Sequence, residues 1–176
     1  DIHLQYAFLN DNICNADPLS FGTNGPYDIT GAGVEVGEPT PPTGSTGCES
    51  QDGWCDPANG GGVEPLLQNT VWYSFVAPLS GSVTLNTNGS TYDTQMAVYS
   101  GNDCNDILNG NGVLVAANDD NPTWNVTQYT SEVTLTCLSA GATYFVQFDG
   151  WVSSEGDLTI EMTENPNPIV LGSYSS

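Results

Sequence analysis

Apolar residues fall at alternate positions in segment after segment of this chain. Glu132 to Cys137 sets Val133, Leu135 and Cys137 against Glu132, Thr134 and Thr136. Asp157 to Thr163 sets Leu158, Ile160 and Met162 against Thr159, Glu161 and Thr163. Thr143 to Asp149 gathers Tyr144, Val146 and Phe148, Ser82 to Asn86 gathers Val83 and Leu85, and Gln95 to Tyr99 gathers Met96 and Val98. Successive side chains of a strand point to opposite faces, so this period of two predicts strands with one buried and one wetted face. Val71 to Val76 (VWYSFV) and Val113 to Ala117 are short apolar runs, the first rich in aromatic and β-branched residues, and read as strands too. Turn residues punctuate them: Asn88-Gly89, Ser100-Gly101, Asn109-Gly110, Asn111-Gly112 and Glu155-Gly156. No window holds a helical period. The pattern predicts an all-β fold, a two-sheet antiparallel β-sandwich with jelly-roll-like connections and about eight to ten strands.

Two regions depart from this rhythm. Residues 37–62 carry Pro39, Pro41, Pro42, Pro57 and a run of three glycines, and read as a long loop inserted in the sandwich. The chain ends carry apolar segments of their own. Ile2 to Leu9 reads as a terminal strand, with Ile2, Leu4, Tyr6 and Phe8 available to pair with a neighbouring molecule, and Ile169 to Tyr174 as a shorter one. The expected organisation is an N-terminal strand or assembly arm over 1–9, one sandwich domain over 10–163 with the 37–62 insertion, and a tail over 164–176.

Charge narrows the possible functions. The 176 residues include 21 acids and no lysine or arginine, a formal net charge of −21, yet only 12% are charged. The acidity is an absence of cations. Without a guanidinium fork or an ammonium group, nucleic acids, nucleotides and anionic membranes are poor partners. Chemistry that needs a Schiff-base lysine or an arginine clamp is excluded. A Ser-His-Asp or Cys-His site needs a histidine, and the single one, His3, falls in the terminal strand. No motif supports a carboxylate dyad, so a non-catalytic role is expected.

No stretch is long and apolar enough to span a membrane, and no signal-peptide pattern opens the chain, which is expected to be a processed extracellular protein. Five cysteines suit an oxidising compartment but leave one unpaired. Cys48 and Cys55 flank a short loop and are expected to close it; Cys104 and Cys137 are expected to form the second bridge, leaving Cys14.

Five segments in order, LNDNICNADPL from Leu9, VWYSFVAPLSGSVTLNT from Val71, YDTQMAVYSG from Tyr92, LVAANDD from Leu114 and SAGATYFVQFDGW from Ser139, resemble the bacterial pre-peptidase C-terminal domain and related secreted modules over roughly residues 9 to 163. The resemblance implies a non-catalytic β-sandwich appended to secreted hydrolases or adhesins, in some members with calcium. It implies a calcium site made by the N-terminal Asp/Asn segment and acidic residues just before the VWYSF-like strand, where this chain has Gln68 and Asn69.

The residues themselves also point to calcium, which takes six to eight oxygen ligands. The clusters are Asn10, Asp11 and Asn12; Asp93; Asn118, Asp119 and Asp120; and Asp103, Asn105 and Asp106, with Asp93 and the loop of Asp119 and Asp120 as a candidate pair. Carboxylates with no cation to pair with favour a divalent ion, although Asx side chains also cap turns through their own backbone. Trp54, Trp124 and Trp151 fall in loops, where they stack on sugars, anchor an interface or cover the sandwich ends. The expected function is a structural subunit that self-associates into an extracellular filament or adhesive layer by terminal-strand exchange. The alternative is an accessory module that binds a polysaccharide or protein.

Overall fold

Nine strands and one short helix lie among residues 9–55, 67–121 and 129–166, which the computed structural model describes. In chain order they are β1 (Asp17–Pro18), β2 (Gly22–Asp28), β3 (Val71–Val76), β4 (Val83–Asn86), β5 (Thr94–Ser100), α1 (Cys104–Leu108), β6 (Val113–Asn118), β7 (Glu132–Leu135), β8 (Thr143–Gly150) and β9 (Asp157–Glu164). They form a five-stranded sheet, β1-β3-β8-β5-β6, and a four-stranded sheet, β2-β9-β4-β7. Every pairing is antiparallel except that of β1 with β3. The fold is the two-sheet β-sandwich that the alternation predicts.

The inner faces meet in one apolar layer. Val71, Tyr73, Phe75, Met96, Val98, Val146 and Phe148 come from the first sheet, and Val83, Leu85, Val133, Leu135, Leu158, Ile160 and Met162 from the second. Removing a large apolar side chain from water is worth ~1.5–3 kcal/mol, so this layer dominates the stability. The second sheet keeps its outer face wet, as alternation requires: β4 reads buried, half-buried, buried, half-buried.

The first sheet does not. Its outer face carries a second apolar layer made of Trp72, Ala97, Tyr99 and Ala117 from the strands, Ile13 from a 3₁₀ turn, Ile107 from α1, and Trp54. Six consecutive residues of β5, Thr94 to Tyr99, are therefore buried. The covering comes from the loop after β2, from a pair of 3₁₀ turns (Leu9–Asp11 and Ile13–Asn15) and from α1. In that loop Trp54 donates its backbone N–H to Pro42 O (2.9 Å) and its ring Nε1–H to Met96 O (2.9 Å). The described part of the 37–62 region is thus fastened to the sheet.

The disulfides partly overturn expectation. Cys48 and Cys55 are bridged, but Cys104 pairs with Cys14 (Cα–Cα 5.1 Å), not with Cys137. The bridge ties the second 3₁₀ turn to α1 across the outer layer. Cys137 is exposed and free, because β7 ends at Leu135 and Cys137 turns with φ 59°. The predicted strand over Glu132 to Cys137 is two residues too long for the same reason. The predicted strands over Ile2 to Leu9 and Ile169 to Tyr174, and with them Ile2, Leu4, Tyr6, Phe8 and Trp124, lie outside the described residues, save that Leu9 opens the first 3₁₀ turn.

Candidate metal centre

Asp93 immediately precedes β5, and Asp119 and Asp120 immediately follow β6. The two strands are antiparallel neighbours, with Met96 opposite Asn118, so the start of one and the end of the other share one end of the sheet. A carboxylate oxygen from each of Asp93, Asp119 and Asp120 lies within 4.8 Å of the other two. The two loops proposed from sequence as a candidate pair therefore do meet.

The backbone around the cluster is well anchored. Asp119 is 2% exposed, and its Oδ2 accepts from Cys55 N–H (2.8 Å) and from Gln95 Nε2 (2.8 Å). Asp120 N–H donates to Cys48 O (3.0 Å), so the Cys48–Cys55 loop holds both aspartates from above. Asp93 O accepts from Trp151 N–H (3.1 Å), while Asp93 Oδ1 is buried with no hydrogen-bond partner. A buried acceptor left unmet costs about 1–3 kcal/mol.

Electrostatics make the gap more telling. Burial, helped by the charges of Asp119 and Asp120, pushes the Asp93 carboxyl up to about 8. Burial also raises Asp119, to about 7, against the lowering effect of its bonds from Gln95 and Cys55. Asp120 is raised by burial and by Glu49. Three carboxyls that resist ionisation, with only oxygen donors facing one another and an unmet acceptor among them, fit a hard divalent cation.

Asn118, expected as a ligand, has its amide already committed. Its Nδ2 donates to Ser50 O (2.8 Å) and Asp120 O (3.0 Å), and its Oδ1 accepts from Glu132 N–H (2.7 Å). It clamps the Asp120 turn to the disulfide loop and to β7.

Asp11 lies elsewhere, at the turn formed by Gly31 to Gly33. Its Oδ2 accepts from Gly33 N–H (3.2 Å), its Oδ1 is buried and unpartnered, and burial raises its pKa. Asn69 reaches the same turn. Its Nδ2 donates to Ala32 O (3.2 Å) and to Glu155 Oε1, and its Oδ1 is also buried without a partner. Glu155 Oε2 accepts from Gly31 N–H (3.3 Å). The two segments named by the family resemblance thus converge on one turn, each with an unmet oxygen. Asn12 is exposed and makes no capping bond.

The third cluster has a local explanation. Asp103 caps α1, accepting from Asn105 N–H (2.8 Å) and Asp106 N–H (3.1 Å), and Asp106 accepts from Asn102 N–H (3.0 Å).

A cavity of about 390 Å³ opens over the Asp93 cluster, bounded by the Cys48–Cys55 bridge, Tyr129 and Trp151. Trp151 is half-buried there, whereas Trp54 is 1% exposed and belongs to the outer apolar layer, not to a ligand surface.

One anchor escaped the sequence reading. Asp149 is wholly buried and accepts from Gln68, Asn69 and Gly150 N–H, each at 2.8 Å. Burial raises it to about 6 despite those bonds. The signal was an acid within an otherwise apolar strand (YFVQFDG).

No family model, curated protein or solved structure matches this chain.

Proposed function

We propose that this protein is a non-catalytic extracellular β-sandwich completed at one end by calcium on Asp93, Asp119 and Asp120, and that it serves as a holding module. The carrying observation is the triad: three carboxylates within 4.8 Å, one with a buried unmet oxygen, in a chain with no lysine or arginine to neutralise them. The two disulfides are compatible with an oxidising compartment. Among the described residues no helix is long and apolar enough to cross a membrane. The Asp11–Asn69 turn is a second calcium position under the same reading, and it is the one a relationship to the pre-peptidase C-terminal domain favours.

Calorimetric titration with calcium tests the reading. Extracellular calcium modules bind at ~10⁻⁴–10⁻³ M. At a hundredfold excess over Kd, calcium adds about 2.7 kcal/mol, which for a chain this long raises the melting midpoint by about 5–10 °C. Asp119→Asn keeps an oxygen for Cys55 and Gln95 but removes the charge, and should abolish that part of the rise. An unchanged midpoint and no binding heat would sink the proposal.

A structural-subunit role is the second reading. It is favoured by β2 and β7, which end the four-stranded sheet and offer edges to an incoming strand. Negative-stain imaging with calcium should then give extended fibres that disappear when residues 1–9 are deleted. Assembly undiminished by that deletion would refute strand exchange by the N-terminal arm.

A further inference from the structure

We propose that the cleft over the Asp93–Asp119–Asp120 cluster binds a neutral saccharide, two adjacent hydroxyls of which complete the coordination of the calcium while a sugar ring packs against Trp151 or Tyr129. This inference rests on the calcium reading above.

The aromatic pair is positioned by the same residues that build the cluster. Trp151 N–H donates to Asp93 O (3.1 Å), and the next residue, Thr94, donates its N–H to Tyr129 O (3.0 Å). Asp93 therefore sits between two aromatic residues tied to its own backbone. Both line the same cavity, and Tyr129 is 51% exposed although nothing in the apolar layers needs it. Trp151 is set by a tight turn. A side chain at Gly150 would collide with Ser154 O, and Val152 and Ser153 follow with φ of 50° and 60°, a region non-glycine residues rarely occupy. Such geometry is kept where the surrounding structure demands it.

The ligand class follows from coordination and charge. Calcium takes six to eight oxygens. Asp119 Oδ2 is already engaged by Cys55 and Gln95, so three carboxylates leave positions open on the cleft side. Against one divalent ion the cluster carries three negative charges, and the chain has no lysine or arginine to offset a further anion. A carboxylate, phosphate or sulfate ligand would be repelled; a vicinal diol brings two oxygens and no charge. The apolar face of a pyranose suits an exposed aromatic ring beside it. A volume of about 390 Å³ is at the small end of ligand pockets and matches one or two sugar rings.

The test uses the full chain and calorimetric titration with mannotetraose, galactotetraose and cellotetraose, each in calcium and in EDTA. At least one should bind in calcium and lose affinity at least tenfold in EDTA. Trp151→Ala and Tyr129→Ser, each checked by circular dichroism, should bind calcium as the parent does, and at least one should weaken the sugar tenfold or more. Calcium binding without binding of any of the sugars overturns this inference and leaves the calcium reading standing. So does sugar binding that ignores EDTA or both substitutions. No calcium binding overturns both.

Discussion

Asp93 and Asp119 carry opposite consequences with and without a cation. Without one, each is an acid held in a poorly solvated pocket beside other acids, raised to about 8 and about 7. With one, each becomes a ligand. Asp93→Asn should therefore change sign with conditions. At pH 8 in EDTA it relieves repulsion and should raise the melting midpoint by a few degrees. In calcium it removes a ligand and should lower the midpoint relative to the parent. A shift of the same sign in both buffers would mean that the cluster holds no ion. The cysteines separate equally cleanly. Cys14–Cys104 closes a loop with a sequence separation of 90, and replacing both by serine should cost about 2–5 kcal/mol in denaturant unfolding. Cys137→Ser, at an exposed unpaired position, should be neutral.

Among the elements, the loop that carries Trp54 does more than connect. Its indole fills the outer layer, its carbonyl accepts from Gly44 N–H (2.8 Å), and its neighbour Cys55 donates to Asp119. Trp54→Ala should cost about 3–5 kcal/mol as a buried large-to-small change. It should also weaken calcium binding, because the Cys55 donor shifts with the loop; a stability loss with calcium affinity intact would uncouple the two. These couplings mark where the sequence was readable. β3 is legible to the residue and β6 within one as short apolar runs rich in β-branched or aromatic residues, and β4, β5, β8 and β9 within a residue at either end because one face of each meets the inner core and the alternation records it. β2 (GTNGPYD) is not predicted, since its glycines and proline leave no alternation to read and its pairing with β9 is broken between Asn24 and Tyr27. α1 was missed because five residues carry too little period. The outer layer was hidden because Ile13, Trp54 and Ile107 lie far apart in sequence and only the fold assembles them. The same holds for the Cys14–Cys104 bridge, whose partners were separated by 90 positions with no local cue. The Asp93–Asp119–Asp120 meeting was legible as two Asx-rich loops flanking strands that turned out to be neighbours, whereas the Asn118 clamp was not, since composition does not reveal which amide is already spent.

At the scale of the whole molecule, the charge of −21 acts with no lysine or arginine to balance it. Self-repulsion of this kind weakens the folded state and is screened by salt. The buried acids add a second, pH-dependent penalty whose direction is fixed. Asp93, Asp119 and Asp149 have folded-state pKa values of about 8, 7 and 6, all above the ordinary 3.8 expected when unfolded. The folded protein then holds protons that the unfolded chain has released, so the metal-free contribution of these three groups to stability is greatest below about pH 4. It falls as pH rises through the interval between 3.8 and 8, and levels beyond it. Calcium reverses part of this slope, because it binds only the ionised carboxylates of Asp93 and Asp119 and gains affinity as they deprotonate. Asp149, spent on three backbone N–H groups, should keep its own penalty, which builds between pH 3.8 and 6 and persists above it. Melting curves from pH 4 to 9 should therefore descend in EDTA and flatten or rise in calcium, with the two diverging mainly between pH 6 and 8. Sodium chloride at matched ionic strength should lift the EDTA curve without changing its shape, since screening of surface charge does not supply oxygen coordination in a buried pocket. Curves in calcium and in sodium chloride that superimpose across this range would reduce the ion to a counter-charge and leave the three aspartates as a cost the fold simply carries.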